Sequence, residues 1–253
     1  MTIKIANVQF SIKPNDPDHN LKRMERFIKK AAADKCDLVV FPEDAVAGPL
    51  EGQVNHTHRS LEFFTFFQKL ALFYKIDIVP GSWILPEEGK LYNTTYYFNA
   101  DGTMAGEYRK ISLWETEKAV ITPGVYNEVF PTRFGLAGLA ICWDMAFPEI
   151  FKEMGTKGAS LIVVPAYWSY TKPGKPTPDD KASDEAIIDS LCVARAFENN
   201  ITLVYCNAAG EYKSNDLHSI LIGRSKVAIG TGVQVESKSN KEEVLYFSGE
   251  SSV

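Results

Sequence analysis

The chain has 253 residues, enough to bury one large core or two small ones. Hydrophobic residues make up 45% and charged residues 23%, the balance of an ordinary soluble globular protein. A net charge of −5, with no dense basic cluster, excludes a nucleic-acid or anionic-membrane surface as the main partner.

From the N-terminus, Ile3 to Phe10 alternates like a strand and lacks the apolar stretch and cleavage site of a signal peptide. Asp16-Pro17 then opens a helix with Leu21, Met24, Phe27, Ile28 and Ala31 at helical spacing. Asp37 to Phe41 is a short buried strand ending at Pro42-Glu43, followed by a loop with Gly48, Pro49 and Gly52. Ser60 is placed to cap a helix running to about Tyr74, and Ile76 to Val79 returns as a strand. Leu91 to Phe98 and Gly106 to Ser112 form an antiparallel pair across Asp101-Gly102. The order then repeats: strand Leu136 to Ile141, helix Pro148 to about Lys157, strand Ala159 to Val164. A polar, proline-rich loop spans Tyr170 to Lys181, before a helix Asp184 to Asn199 and a strand Ile201 to Cys206. Strand-helix-strand-helix-strand thus occurs twice around a hairpin. Two buried sheets face to face, each covered by helices, accommodate this pattern, as does an ordinary open α/β sheet. No Gly/Ser-rich linker divides the chain, so residues 1–253 are read as a single domain with a short C-terminal end.

No apolar run approaches the ~20 residues that span a membrane, so neither a membrane partner nor a secreted location is expected. Cys36, Cys142, Cys192 and Cys206 are far apart and form no Cys-x-x-Cys pair, which favours reduced thiols in the cytoplasm over disulfides or zinc. His56-x-His58 is a close histidine pair without a third ligand, so no metal site is expected.

Cys142 stands where a buried strand ends and Pro148 begins a helix, on a turn with free backbone N–H groups. Most cysteines are simply packed, so Cys142 needs partners before it reads as a nucleophile. Glu43 and the Pro165-Ala166-Tyr167-Trp168 segment also fall at carboxyl ends of strands, where ligands collect in α/β folds. An unperturbed thiol is mostly neutral at pH 7, and Glu43 can accept its proton. Lys110 can stabilise negative charge developing on a substrate, and the Trp143 N–H can be a second oxyanion donor. No histidine falls in these segments, which argues against a Cys-His pair.

With those residues in place, the chain resembles the nitrilase, or carbon–nitrogen hydrolase, superfamily. The resemblance rests on Phe41-Pro42-Glu43, Tyr108-Arg109-Lys110, and Cys142-Trp143-Asp144 with Phe147-Pro148-Glu149, in order. It covers Ile3 to about Gly230. It implies a four-layer α-β-β-α sandwich, and counting back from Pro123-Gly124 it adds Glu117 as a further site residue. It also implies a thioester route, without cofactor, from an amide to a carboxylate and ammonia, with Glu117 positioning substrate or water. A homodimer or higher homo-oligomer is expected. Three departures stand out. Ser112 replaces a histidine common in the family, and no arginine follows Cys142 near Met145-Ala146, which disfavours an acidic substrate group there. The chain also ends soon after Gly223-Arg224-Ser225, where relatives usually continue. With Trp114, Trp143, Tyr167 and Trp168 as candidate lining, a small neutral primary amide is the first expectation. An N-carbamoyl amine or a nitrile is the alternative, and a non-catalytic interaction module on the same fold is the alternative of another class.

Overall fold

A computed structural model of the chain describes residues 2–171, 176–213 and 218–250. Its first half runs β1 (Thr2–Gln9), α1 (Pro17–Ala33), β2 (Leu38–Val40), α2 (Leu50–Gln53), α3 (Ser60–Tyr74), β3 (Asp77–Val79), β4 (Ser82–Glu87), β5 (Lys90–Phe98) and β6 (Met104–Arg109). Then follow β7 (Val129–Thr132), β8 (Gly135–Leu139), α4 (Pro148–Thr156), β9 (Leu161–Ala166), α5 (Pro178–Asn199) and β10 (Thr202–Asn207). The chain continues through β11 (Glu211–Lys213), β12 (His218–Ile220), β13 (Lys226–Ile229), β14 (Gly232–Glu236) and β15 (Glu243–Glu250).

Among the described residues, one seven-stranded sheet has the order β15-β1-β2-β3-β5-β4, with β6 also on β5. A six-stranded sheet has the order β14-β13-β10-β9-β8-β7. The period of two in β1 explains how the sheets stack. Ile3 and Ile5 join Leu139, Val163 and Val204 in the core between the sheets. Ala6 and Val8 point the other way, with Met24 and Ile28 of α1 and Phe63 and Phe67 of α3. Outside the second sheet, Phe151 and Met154 of α4 and Ile188 and Cys192 of α5 complete the far layer. This is the four-layer α-β-β-α sandwich, and the open-sheet alternative is excluded.

The α1 and α4 starts follow the sequence reading. Asp16 accepts the His19 N–H at 3.1 Å, and prolines open both helices. Ser60 does not cap α3, because the chain is already helical before it, through α2 and a 3-10 turn over Val54–Arg59. Its hydroxyl instead donates to the carbonyls of Thr57 and Ile84. The supposed loop after Gly48 is thus largely helical, and His56 lies there with its ring nitrogen 2.9 Å from Asn15 Oδ1. Strands β4, β7 and β11 to β15 also went unread. Of the proline-rich stretch from Tyr170 to Lys181, residues 172–175 lie outside the described residues. Among the described residues, no helix is long and apolar enough to cross a membrane.

Candidate active site

The candidate residues enter from both sheets. Phe41-Pro42-Glu43 leaves β2 and is pressed against Pro80-Gly81, where Gly81 has φ 81° and a Cβ would stand 1.9 Å from the Pro42 carbonyl oxygen. Lys110 comes just after β6 rather than within a strand, and its N–H still donates to the Asn93 carbonyl at 2.9 Å. Gly124 crosses behind it, donating to the Lys110 carbonyl at 2.9 Å, so closely that a Cβ would meet the Arg109 oxygen at 2.2 Å. That crossing gives the Pro123-Gly124 pair a physical reason. Glu117 begins a single 3-10 turn, Glu117–Ala119.

From the second sheet, Cys142 follows β8 with φ 45°, a left-handed conformation uncommon outside glycine, and opens a 3-10 turn to Ala146. A helix start leaves its first N–H groups without partners inside the helix, and Cys142 and Trp143 supply the first two. Asp144 holds this turn. Its carboxylate accepts from the N–H groups of Ile141 (2.9 Å) and Ser112 (2.8 Å) and from the Tyr108 hydroxyl (2.8 Å), tying the cysteine turn to the Lys110 segment. Ser112, where a histidine was expected, thus serves through its backbone.

Glu43, Lys110, Glu117 and Cys142 are all buried and brought together. Lys110 Nζ lies 2.9 Å from Glu43 Oε1 and 2.7 Å from Glu117 Oε2. The Asn93 amide donates to Glu43 Oε1 at 2.9 Å and to Glu117 Oε1 at 3.0 Å. The backbone N–H of Tyr167 donates to Glu43 Oε2 at 2.9 Å, and that of Trp114 to Glu117 Oε2 at 2.7 Å. Burial, and then the Glu43 carboxylate, push the Cys142 thiol well above its ordinary range, against the pull of Lys110 and the Tyr167 N–H. Cys142 therefore rests as a neutral thiol beside a carboxylate. Burial works against the charge on Lys110, but the anionic neighbours, Glu43 first, outweigh it and keep it protonated. Burial and the Glu43 carboxylate likewise hold Asp44 well above the carboxylate range, its oxygen taking a short bond from Gln53.

The aromatic residues divide. The Trp143 ring packs against Trp114 at 4.5 Å between centroids and against Trp168 at 5.2 Å. Trp114 is 44% exposed, which puts it at the rim. Tyr167 meets the cluster through its backbone N–H. Sequence reasoning missed Asn93, Asp44 and the anchoring role of Asp144. A lone amide in an otherwise strand-like run was the available signal for Asn93. It also left Arg195 unplaced: the buried guanidinium reaches from α5 to the Met145 carbonyl at 3.0 Å, so a cation does stand behind the segment after Cys142. Among the described residues, no group of three or more His, Cys, Asp or Glu is placed to hold a metal.

Asp144 carries a pH signature. Burial lifts its carboxyl from 3.8 to about 6 against its donors. Between those values the folded chain holds this proton more tightly than the unfolded one. The group's contribution to stability is thus full at low pH and lost as pH rises through about 6, on the order of 3 kcal/mol at ~1.4 kcal/mol per pH unit. Asp144→Asn, destabilised by a lost acceptor, has no such dependence. Urea unfolding should show the gap between wild type and variant narrowing from pH 4 to pH 7; a constant gap contradicts the assignment.

A buried thiol beside a carboxylate, with an ammonium and the backbone N–H groups that open a 3-10 turn nearby, is equipped to attack an acyl carbon and hold the oxyanion. The chain belongs to the carbon–nitrogen hydrolase family of the nitrilase superfamily, whose family model matches residues 4–251. The match runs through β13, β14 and β15, past the Gly230 limit read from the motifs. A probable nitrilase of Schizosaccharomyces pombe is 31% identical over 96% of this chain and 86% of its own length. A 2-oxoglutaramate amidase of Bacillus subtilis is 29% identical over 86% of this chain and 82% of its own length. Among solved structures, a mutant of the amidase of Nesterenkonia sp. AN1, with acrylamide added at its active-site cysteine, is 25% identical. It superposes with a TM-score of 0.83 over 96% of this chain and 92% of its own.

Proposed function

We propose that the protein is a cysteine-dependent amidase that converts a small, neutral primary amide to carboxylate and ammonia. The observation that carries this reading is the burial of Cys142 together with Glu43, with Lys110 held between Glu43 and Glu117. The amidase names of its relatives support the choice of amide. The Cys142 sulfur attacks the carbonyl carbon as its proton passes to Glu43. Two of the three ammonium hydrogens of Lys110 are engaged by Glu43 and Glu117. The third, with the Trp143 N–H, receives the oxyanion. The carbon–nitrogen bond breaks as Glu43 returns the proton to the leaving nitrogen, giving ammonia and a thioester. Water, deprotonated by Glu43, then releases the acid and the thiol. Glu117, engaged by Asn93, Lys110 and Trp114, anchors Lys110 on this reading and has less freedom to handle water.

The substrate side is argued from Trp114, Trp143 and Trp168, an apolar aromatic cluster beside the thiol. Arg195 is spent on the Met145 carbonyl and on Glu198. We read the protein as one domain acting in the cytoplasm as a homodimer or larger homo-oligomer. The apolar Ile187 and Phe197 left exposed on α5 support an assembly, which light scattering reads directly. Ammonia release should be measured across neutral aliphatic and aromatic primary amides, 2-oxoglutaramate, nitriles and N-carbamoyl amines. Neutral amides should give the highest kcat/KM. Faster turnover of 2-oxoglutaramate overturns the neutral pocket. Silence throughout, with no iodoacetamide labelling of Cys142, favours a binding module.

A further inference from the structure

Asn93 sits on β5 between the two carboxylates, opposite Lys110. Its side chain is 2% exposed with the backbone included, and its NH2 group sends one hydrogen to each acid, at 2.9 and 3.0 Å. Only that end of an amide can face two carboxylate oxygens, so its orientation is fixed by its neighbours. The other end, Oδ1, is left buried without a hydrogen-bond partner. Burying an unpaired carbonyl oxygen is unfavourable. The orientation is therefore set by the acids and not by the amide's own requirements.

The consequence falls on Glu43. Its Oε1 accepts two donors, Asn93 Nδ2 and Lys110 Nζ, which fill both lone pairs. Among the described residues, its Oε2 accepts one hydrogen bond, from the Tyr167 N–H. Tyr167 follows β9, which pairs in parallel with β8, the strand that leads to Cys142, so Oε2 is the oxygen on the thiol's side. Resting on the reading of Glu43 as proton carrier, we propose that Asn93 is a positioning residue that, with Lys110, saturates Glu43 Oε1 and so assigns proton transfer to Oε2. The proton passes from sulfur to Oε2 as the sulfur–carbon bond forms and the carbonyl pair moves to oxygen. It passes from Oε2 to nitrogen as the carbon–nitrogen bond breaks. Oε1 keeps its two donors throughout, so the carboxyl does not rotate between the two steps.

The charged and titratable groups around this amide are Glu43, Glu117 and Lys110, with Cys142 and Asp44 beyond Glu43. Asn93→Ala removes a donor from both carboxylates at once. Each is then less well held as an anion, so the acid limb of kcat/KM against pH should move to higher pH. The loss in kcat should be about 10- to 100-fold, as for a charge-assisted hydrogen bond, with KM changed less than about twofold. A packing role alone lowers the rate at every pH and leaves the limb where it was; that result overturns the proposal. Should Asn93→Ala not fold, Asn93→Asp decides. Its new carboxyl is nearly isosteric, and when protonated it donates to one acid but not both. Its ionisation sets a third anion against Glu43 and Glu117, so the alkaline limb should move to lower pH. An unmoved alkaline limb overturns the proposal. Glu43→Gln separates the two levels of the argument. An active Glu43→Gln protein removes Glu43 as the proton carrier, whereas an inactive one beside a wild-type-like Asn93→Ala removes only the role of Asn93.

Discussion

Cys142→Ala is expected to abolish ammonia release while leaving the fold in place. The side chain lost is small and lies at the end of the inter-sheet core, so the stability change should be about 1 kcal/mol in urea unfolding. The left-handed φ of 45° is neither relieved nor worsened, since alanine also carries a Cβ. Chemistry is lost completely because no other described cysteine touches the site: Cys206 donates to the Val8 and Val40 carbonyls, and Cys192 belongs to the far core. Wild-type enzyme quenched during turnover should show an acyl mass adduct on the Cys142 peptide, and the variant none. Because burial and Glu43 push the thiol above its ordinary range, the adduct is expected to form through proton removal at the moment of attack and not from a standing thiolate. Retained turnover in the variant removes Cys142 from the mechanism.

Lys110→Met acts twice. Loss of an oxyanion donor costs ~10²–10³ in kcat. The ammonium also lies between two buried carboxylates, at 2.9 and 2.7 Å, and its removal leaves both without their cation. Breaking a buried pair from one side costs about 3–5 kcal/mol, so the urea midpoint should fall steeply as well. The two effects separate on a single protein. kcat, measured in buffer where the variant remains folded, reports the oxyanion, and the midpoint reports the stranded acids. A reduction in kcat below about tenfold excludes Lys110 from the oxyanion site.

Much of this site is written in local chemistry that a sequence displays. Pro42, Pro148 and the apolar runs before Glu43 and Cys142 set strand ends and a helix start, and those ends converge once the sheets stack. Other parts are hidden for physical reasons. A polar residue in a strand, such as Asn93, ordinarily faces water; only the partner strands show that its side of β5 faces the buried acids. Tyr167 contributes an N–H, and a backbone donor leaves no mark on residue identity. β15 pairs with β1 along the whole length from Thr2 to Gln9, a partnership that no local pattern announces. Ser60 is well suited to a cap, but Leu50 to Arg59 already wind into helix and the position falls inside one.

The proposed nucleophile and its proposed base hang from different sheets, Cys142 from β8 and Glu43 from β2. Between those sheets lies a seam of interlocking side chains, Ile5 and Val40 against Leu139 and Val163, crossed by hydrogen bonds from Asn7 to the Tyr205 carbonyl and from Cys206 to the Val8 carbonyl. The sulfur-to-carboxylate distance is therefore a vernier on that seam. A slide of one sheet over the other by a fraction of a bond length leaves every strand paired and every helix wound, yet parts the thiol from its proton acceptor. If Cys142 and Glu43 act as proposed, turnover therefore depends on residues far from any substrate, through the tightness of the seam.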